Sequence, residues 1–526
     1  MRTLLRRTGT VLAGLFVVVV LTAPSDLEEF TFEAFLRVPL EGLVGVMVLV
    51  LLPDRWRKPA AVAGGVALGL FTVVKIMDIG FDMVLYRPFD LVLDWPLLVP
   101  AVDFVDVTFG RFASVLAVVL TGALVAGIVW LTAVSVLRLG SAAAGHRPVA
   151  VRAVALAAVA CVSLAVPGVP VYSDAAATSL VDHARRFQAG LNDREVFAAE
   201  ASADAFRGQS GLLSSLRGKD VVFTFVESYG KSALDLPDVA AKLDDGNARL
   251  RSAGYGARSA YLTSPTAGGG SWMAQATLLS GLWIDNQQRY RNLVASDRLT
   301  LPRAFREASW RSVGVVPGIT QAWPEGDFFH YDEIYAAQDL GYAGPRFGYA
   351  TTPDQFTLES FQRNERSRPH GPVMAAIPMV SSHAPWSPTP DFVDWDRLGD
   401  GSVYSAMPAS DDPPESIFGR DPAAVRADYA HSVSYSLESV ISYLERYGDE
   451  NLVFVFLGDH QPAQMVTGEG ASRDVPITIV AKDPAVLSRV EAWKWDDGVK
   501  PGGSAPVSRM SEFRDQFLSA FSPPKL

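Results

Sequence analysis

A carboxylate and an imidazole stand next to each other after a long apolar run near residue 460. Residues 452–457 are all apolar, most of them β-branched or aromatic, and Gly458, Asp459 and His460 follow them. Such a run predicts a strand that is buried on both faces, and Gly458 allows a sharp turn after it. An Asp and a His together can form half of a site for a divalent cation. The alternative is a strand followed by an ordinary polar loop.

A second carboxylate follows a similar apolar run earlier in the chain. Residues 220–226 predict a buried strand, and Glu227 comes directly after it. In a parallel sheet the carboxyl ends of the strands meet at one edge, where open α/β sheets bind their ligands. We therefore expect Glu227 to lie beside the later Asp-His pair. The structural alternative is a surface acid at the end of a strand.

A serine at the predicted start of a helix is a candidate nucleophile. Ser271 follows the three glycines Gly268–Gly270 and precedes a helical pattern that runs to about residue 279. Next to the two carboxylates and the imidazole, its hydroxyl would complete a four-ligand site for one metal. The metal and the helix N-terminus would both favour an alkoxide. Ser271 could instead be only an N-cap, and Thr266 or Ser264 could be the nucleophile.

Four further residues are candidates for binding an anionic substrate. His383 follows a predicted strand at 373–380, so its imidazole could bind a phosphoryl oxygen or protonate a leaving group. Gly269 and Gly270 would let backbone amides approach an anion closely, and His330 is a candidate for lining the pocket. Because Ala and Pro follow His383, this histidine could instead be a structural turn residue.

The elements that must position these residues alternate between strand and helix. The same patterns predict strands at 312–316 and 475–480 and helices at 238–253, 301–308 and 423–447. This alternation indicates an α/β domain with a mostly parallel sheet and helices on both faces. Residues 261–270 are expected to form a turn-rich loop, and residues 387–422, rich in Pro, Asp and Ser, a long surface insertion.

The chain before about residue 170 is much more apolar than the rest. Hydrophobic residues make up 49% of the whole sequence, and this excess is concentrated in runs near 9–23, 38–52, 60–77, 112–137 and 153–169. Several of the runs approach the length of a bilayer crossing, so residues 1–170 are predicted to form a bundle of about five transmembrane helices. The first run follows three arginines and could instead be a cleavable signal peptide, but no clear cleavage site follows it.

Basic and acidic segments alternate along this apolar part and predict its orientation. Arginine and lysine occur near the N-terminus, at 55–58 and at 138–152, whereas Asp and Glu occur at 26–29 and 78–106. With five spans, all the basic segments fall on the cytoplasmic side. We therefore expect the catalytic domain at 218–526 to be extracytoplasmic. Residues 171–217, which are polar and Ala-rich with helical spacing, are expected to form a helical connector before it.

Charge and cysteine content exclude two further classes of protein. The formal net charge is −11 and no basic stripe with interleaved aromatics is present, which argues against nucleic acid as a partner. The single cysteine, Cys161, lies in an apolar run. The chain therefore has no intramolecular disulfide and no cysteine-based metal site.

At these residues the chain resembles the alkaline phosphatase superfamily, and more narrowly its membrane-bound sulfatase-domain branch. That branch includes lipoteichoic acid synthase and related phosphoglycerol transferases. The resemblance covers residues 217–520 and extends to the order of membrane spans followed by an outer domain. It implies one divalent metal, with Mn²⁺ favoured and Zn²⁺, Mg²⁺ or Ca²⁺ possible. By position it implies the ligands and nucleophile Glu227, Ser271, Asp459 and His460, and a phosphate contact at His383.

Two features of the chain depart from the family pattern. The family nucleophile is a Thr, whereas Ser271 stands here. The family's Trp-Asn-Arg-Asp segment, which holds the glycerol phosphate, is replaced by residues 329–332, and the Arg that could clamp a phosphate is lost. The donor headgroup is therefore open. The absence of outer-domain cysteines argues against the related phosphoethanolamine transferases, which commonly carry disulfides.

The resemblance implies a membrane-anchored, metal-dependent phosphotransferase of a bacterial-type cell membrane. It would move a phosphoglycerol-type or similar headgroup from a membrane lipid to a glycan or lipid acceptor of the cell envelope. The transfer would pass through a covalent phospho-Ser intermediate. The alternatives are a sulfatase or phosphodiester hydrolase with the same metal site, and a catalytically inactive envelope scaffold.

Overall fold

The chain forms two compact units. One contains Met1–Met83 and Arg87–Asp193, and the other contains Val84–Tyr86 and Arg194–Leu526. The computed structural model describes residues 2–24, 30–85, 87–98, 102, 105–106, 110–163, 172–408, 420–468 and 470–524.

The first unit is almost entirely helical. Its helices are α1 (Arg2–Thr22), α2 (Leu40–Leu51), α3 (Asp54–Leu85), α4 (Arg111–Gly145) and α5 (Arg147–Ser163), and α6 (Ala175–Ser202) begins in it. Two short strands, β1 (Val38–Pro39) and β2 (Tyr172–Ser173), pair in parallel. Each predicted apolar run overlaps one of the first five helices, although the end of the run at 153–169 lies outside the described residues.

Two helices of the described chain are long and apolar enough to cross a membrane. They cover Asp54–Met83 and Arg111–Gly145, with mean hydropathies of 1.9 and 2.5. The apolar helices Arg7–Thr22 and Leu40–Leu51 are shorter. Since a helix rises about 1.5 Å per residue, the second of these falls well short of the roughly 30 Å hydrocarbon core. The five predicted spans are therefore represented by two helices of sufficient length.

The second unit is built around a nine-stranded sheet. Its strands are β3 (Asp220–Val226), β4 (Gly256–Thr263), β5 (Arg311–Val316), β6 (Glu333–Ala336), β7 (Val373–Met379), β8 (Leu452–Gly458), β9 (Asp474–Ala481), β10 (Asp496–Asp497) and β11 (Val507–Arg509). The order across the sheet is β10-β4-β9-β8-β3-β7-β5-β6, and β11 pairs with β4. Strands β8, β3, β7, β5 and β6 run parallel, whereas β9 is antiparallel to both β8 and β4. The sheet is thus mostly parallel, as predicted.

Helices cover both faces of this sheet. They are α7 (Pro237–Ser252), α8 (Ser271–Ser280), α9 (Gln287–Val294), α10 (Leu301–Glu307), α11 (Asp354–Phe361), α12 (Pro422–Tyr447), α13 (Gln464–Thr467), α14 (Pro484–Arg489) and α15 (Phe513–Phe521). Side chains of β3 alternate between the two sides: Phe223 packs in the cluster that contains Phe517, and Val222 in the cluster that contains Ile441. Every residue of β3 and β8 is buried, as two-sided burial of a parallel sheet requires.

One expected loop is partly a strand. Residues 261–263, predicted to belong to a turn-rich loop, are the end of β4, which pairs antiparallel with β9. The strand contains Gly, Ala, Arg and Ser and only one β-branched residue, so its sequence carries a weak strand signal. Its register comes from β9, more than two hundred residues later in the chain.

A buried arginine ties the amino end of the sheet to its helices. Arg366 donates from Nε to Oδ2 of Asp220 at 2.8 Å and from Nη2 to Asp449 at 2.9 Å. The other oxygen of Asp220 accepts the N–H of Val373, the first residue of β7, at 3.0 Å. The Arg366 side chain is only 2% exposed. Removing one partner of such a pair leaves a buried charge without compensation.

We therefore predict that Arg366→Met destabilises the second unit by about 3–5 kcal/mol. Because Asp220 would remain buried and lose its guanidinium, the loss should appear as a lower thermal unfolding midpoint of the full-length protein in detergent. Arg446→Met is the matched control, since Arg446 pairs with Asp396 where both side chains are largely exposed. Equal midpoints for the two variants would contradict the prediction.

Candidate active site

Two turns at the carboxyl edge of the sheet pack directly against each other. They follow the adjacent strands β3 and β8. A Cβ placed on Gly458 would lie 1.8 Å from the carbonyl oxygen of Tyr229, and one on Gly230 would lie 1.8 Å from Oε1 of Gln461. Each turn therefore needs a glycine where the other approaches. This close approach brings the polar residues after the two strands into one place.

Three side chains from these turns converge on one point. Glu227, Asp459 and His460 are all buried, and one potential ligand atom from each lies within 4.8 Å of the others. Oδ1 of Asp459 accepts the N–H groups of Ser228 at 2.8 Å and of His460 at 2.7 Å. Oε1 of Glu227 accepts the hydroxyl of Ser228 at 2.9 Å. Backbone and hydroxyl donors thus fix both carboxylates.

The imidazole of His460 is held in one orientation. Its Nδ1 lies 2.8 Å from the carbonyl oxygen of Gln461. Because a carbonyl can only accept, this contact assigns the hydrogen to Nδ1 and leaves the lone pair of the neutral ring on Nε2. Nε2 lies 3.4 Å from Oε1 of Glu227 and 3.1 Å from Oγ of Ser271. The available lone pair therefore points into the cluster.

Ser271 reaches the same cluster from the start of α8. Its Oγ donates to Oε2 of Glu227 at 2.9 Å. Gly270, the residue before it, has φ +84°, and a Cβ there would lie 2.8 Å from Cε of Met273. The chain therefore enters the helix through a left-handed conformation at Gly270 that favours glycine. As the first residue of the helix, Ser271 also lies at the positive end of its dipole.

The two other hydroxyls of this loop have different environments. Thr266 is buried, and its Oγ1 has no hydrogen-bond partner among the described residues. Ser264 donates from Oγ to the carbonyl oxygen of Asp459 at 2.6 Å, so it serves to hold the turn. Within the described part of the chain, neither hydroxyl hydrogen-bonds to the carboxylate of Glu227 or Asp459. The geometry therefore favours Ser271 over the alternative nucleophiles.

The electrostatics of the cluster favour a cation. Burial, and then the charge of Glu227, raise the pKa of Asp459 to about 7. Burial alone would also raise the pKa of Glu227, but the nearby His460 and His383 outweigh it and keep that pKa below its usual value. The pKa of His460 is raised by both carboxylates, although burial opposes the shift. Two adjacent buried carboxylates need a proton or a cation to offset their repulsion.

These residues fit a divalent metal. Ligand bonds are about 2.0–2.6 Å long for Zn²⁺, Mg²⁺ or Ca²⁺, so atoms separated by less than about twice that length can share one ion. The two carboxylates and the imidazole satisfy this condition. Their mixed oxygen and nitrogen donors suit several divalent ions, so the donor set does not select one.

His383 lies beside this cluster, and the loop that carries it is anchored by an acid. Oδ1 of the fully buried Asp354 accepts the N–H groups of Val380 at 2.8 Å and Ser381 at 3.0 Å, just after β7. Burial raises the pKa of Asp354 despite these hydrogen bonds. Ser382 donates from Oγ to the carbonyl oxygen of Glu227 at 2.7 Å. The loop is therefore tied to the turn after β3.

His330 lies elsewhere, and the prediction that it lines the pocket is wrong. It follows a 3₁₀ helix at Pro324–Phe329 and precedes β6. Nearby Asp332 donates its N–H to the carbonyl oxygen of Ser312 at 2.7 Å, at the start of β5. Because β6 runs parallel to β5, the connection must return to the amino end of the sheet before β6 begins. His330 is therefore at the edge opposite the cluster.

Several residues that position the cluster were missed in the sequence. Ser228, with φ +55°, and Gln461 each hold a ligand through hydrogen bonds. Both directly adjoin predicted ligands, so their places in the turns were the available signal. Asp354 carried no such signal, because an acid after Pro353 at the start of a helix is common for reasons of helix stability alone.

Taken together, the mostly parallel sheet and the buried donor cluster at its carboxyl edge define an α/β domain with a candidate metal site. Residues 245–474 match the family model of the sulfatases. The second unit therefore carries a domain that matches the sulfatases, a family of enzymes. Ser271, His383, Asp459 and His460 lie inside the matched range, and Glu227 precedes it.

Three solved structures of transferases or synthases are among those that align with this chain. The integral membrane protein lipooligosaccharide phosphoethanolamine transferase A from Neisseria meningitidis is 11% identical, with a TM-score of 0.49, and the alignment covers 96% of this chain and 94% of that one. The phosphoglycerol transferase GacH from Streptococcus pyogenes is 14% identical, with a TM-score of 0.35, and the alignment covers 62% of this chain and 90% of that one. The lipoteichoic acid synthase LtaP from Listeria monocytogenes is 12% identical, with a TM-score of 0.34, and the alignment covers 61% of this chain and 76% of that one. No curated protein matches the chain.

If the three buried side chains hold a metal, Asp459→Asn should lower the affinity for Mn²⁺ by at least about a hundredfold. Loss of a residue that only hydrogen-bonds to a metal ligand usually lowers the affinity by less. In the wild type the affinity should fall as the pH is lowered through about 7, because a proton then competes for Asp459. Titration calorimetry and metal analysis of the full-length protein would measure both effects. Asp497→Asn, at a largely exposed ion pair, is the control, and equal affinities would contradict the prediction.

Proposed function

We propose that this enzyme transfers a phosphoglycerol-type or similar headgroup from a membrane phospholipid to an acceptor of the cell envelope. The observation that carries the proposal is the position of Ser271. Its Oγ lies 2.9 Å from Oε2 of Glu227 and 3.1 Å from Nε2 of His460, inside a sulfatase-family domain. A hydroxyl at a helix start beside a metal-type donor set is suited to nucleophilic attack on phosphorus.

Glu227, Asp459 and His460 would hold the metal, with Ser271 Oγ as the fourth donor. A divalent cation there would act as a Lewis acid, lowering the pKa of the serine hydroxyl and stabilising negative charge on the phosphoryl oxygens. The resemblance described above favours Mn²⁺. Fixed hydrogen bonds from Ser228 and to Gln461 keep the ligands oriented for the ion.

The first step would form a covalent intermediate. Ser271 Oγ, oriented by its hydrogen bond to Oε2 of Glu227, loses its proton to solvent and attacks the phosphorus of the phosphodiester. The bond from phosphorus to the lipid oxygen breaks, and His383 gives that oxygen a proton, releasing diacylglycerol. The headgroup remains on Ser271 as a phosphodiester. The backbone N–H groups at the start of α8, which follow Gly269 and Gly270, would stabilise the developing negative charge.

The second step would release the headgroup to its acceptor. A hydroxyl of an envelope glycan or lipid attacks the phospho-Ser, giving its proton to His383, and the serine oxygen leaves and takes up a proton from solvent. If water takes the place of this acceptor, the enzyme is a phosphodiester hydrolase. The same residues serve both reactions, so only the product distinguishes them.

Ser271→Ala should lower the release of diacylglycerol from phosphatidylglycerol in Mn²⁺-containing micelles by at least about a thousandfold, as expected for loss of a nucleophile. Thr266→Val is the matched control, because the Thr266 hydroxyl has no partner among the described residues and Val keeps its shape. This variant should stay close to the wild type. The reverse result would assign the nucleophile to Thr266.

The donor and the acceptor can be read from the same reaction. After an acid quench, the mass added to the peptide that contains Ser271 identifies the transferred headgroup. Headgroup found on an added glycan or lipid supports transfer, whereas free headgroup indicates hydrolysis. A wild-type protein that binds Mn²⁺ but turns over neither lipid nor a simple phosphodiester would contradict the proposal and favour an inactive scaffold.

We further propose that the first unit anchors the enzyme with its N-terminus in the cytoplasm. Three basic residues bond near the ends of helices that meet there: Arg57 to the carbonyl oxygen of Leu49 at 2.9 Å, Arg147 to that of Val50 at 2.8 Å, and Arg138 to Thr10 at 3.4 Å. Basic residues gathered at one end of a helical bundle favour the cytoplasmic side. This arrangement supports a crossing of about five segments and an extracytoplasmic catalytic domain.

The proposed orientation predicts which side a thiol reagent reaches. In a Cys161→Ser background, Ala485→Cys should be labelled in intact cells by a membrane-impermeant maleimide, because Ala485 is exposed in the second unit. Arg55→Cys, exposed in the first turn of α3, should be labelled only after permeabilisation and is the matched control. If only Arg55→Cys were labelled in intact cells, the protein would have the opposite orientation in the membrane.

A further inference from the structure

A tight turn presents an aromatic side chain that the proposed mechanism leaves unused. Phe347 and Ala350 exchange both backbone hydrogen bonds, at 3.2 and 3.0 Å, so Gly348 and Tyr349 form the tip of a two-residue turn. Gly348 has φ +58°, a conformation that favours glycine and is common in such turns. Phe347 and Ala350 are buried, whereas Tyr349 is 46% exposed.

The turn lies against the loop that carries His383. A Cβ on Gly348 would be 3.7 Å from both Cδ of Pro385 and the carbonyl oxygen of Ser387. The ring of Tyr349 stacks on the imidazole of His383, with centroids 3.9 Å apart and planes 17° from parallel. A large aromatic side chain that remains nearly half exposed is thus placed flat on a candidate substrate-binding histidine.

The imidazole is fixed from a second direction by its own loop. Nδ1 of His383 lies 2.7 Å from the carbonyl oxygen of Ala384, which assigns a hydrogen to Nδ1. The stacked ring of Tyr349 limits the tilt of the imidazole, and the hydrogen bond limits its rotation within the plane. Together the two contacts fix the direction of Nε2, the nitrogen that remains for the substrate.

The tyrosine also lies within range of the carboxylate cluster. Burial, and then the charge of Glu227, raise the pKa of Tyr349. This influence of Glu227 indicates that Tyr349 lies on the side of His383 that is close to the carboxylate cluster. A tyrosine that only covered the Pro385 loop could pack on any side of it. It would not need to lie on the side close to Glu227.

We infer that Tyr349 is a positioning residue that holds His383 in the orientation needed for phosphoryl transfer, an inference that rests on the proposed function. Proton transfer to the leaving oxygen requires Nε2 at one place and angle, and small displacements of a reacting group reduce rate sharply. Without the stacked ring, the imidazole spends less time in that orientation. The consequence is a lower kcat with little change in KM.

Kinetics of the Mn²⁺-loaded full-length enzyme on phosphatidylglycerol in micelles test the inference, because the diacylglycerol oxygen needs a proton as it leaves. Tyr349→Ala should lower kcat by about two- to tenfold, the effect expected when one aromatic contact is lost, and leave KM nearly unchanged. Tyr349→Phe keeps the ring and should recover most of that loss. Phe392→Ala, which removes another partly exposed aromatic of the same domain, should match the wild type. A Tyr349→Ala enzyme like Phe392→Ala, or one changed only in KM, would overturn the inference.

A double-mutant cycle shows whether the tyrosine acts through the histidine. In a His383→Ala background, adding Tyr349→Ala should cause no further loss of kcat, since the positioned group is already gone. A further loss equal to that in the wild-type background would overturn the inference and assign Tyr349 an independent role.

Binding of orthovanadate, a transition-state analogue of phosphoryl transfer, separates failure of this inference from failure of the proposed function. If the wild-type enzyme turned over no phosphodiester, the proposed function would fail, but calorimetry of vanadate binding would still test the stack. Tyr349→Ala and His383→Ala should then weaken binding without adding to each other, and Tyr349→Phe should restore it. Equal affinities for the wild type and Tyr349→Ala would overturn the inference.

Discussion

The placing of two buried carboxylates side by side is the constraint on which the rest of this domain depends. Glu227 and Asp459 repel each other in an environment that water cannot screen. They are nevertheless held there because β3 and β8 are paired along their whole length and because Gly458 admits the neighbouring turn. Backbone N–H groups and hydroxyls surround the pair, so the fold offsets part of the repulsion and leaves the remainder for a cation.

Much of the arrangement of the site could be predicted from short stretches of the sequence. The apolar runs before Glu227 and Asp459 are long and bounded by polar residues, so the strands, their burial and the side chains that follow them could be predicted. The glycines before Ser271 likewise marked the start of α8. In each case a residue and the signal for its position are neighbours in the chain, and parallel pairing then brings the strand ends to one edge.

Other features depend on contacts that no local pattern encodes. Residues 261–263 are strand only because β9 pairs with β4. His330 was misplaced because the direction in which a connection travels is a property of the sheet topology. Tyr349 and Asp354 gain their roles from the loop that carries His383, which is distant in sequence from Tyr349's own turn. Pairing, direction and long-range contact therefore limit what the residues alone predict.

The interlocked turns have a consequence for how the domain folds. The hydrogen bond from the N–H of Ser228 to Asp459 spans 231 positions of the chain, and β3 and β8 are separated by a similar distance. Contacts between such remote segments carry a large loop-closure cost and are made slowly. The donor cluster cannot exist until they form. Occupancy of the site by an ion would therefore report that β3 and β8 have paired, which makes any activity of the site conditional on completed folding of the domain's centre.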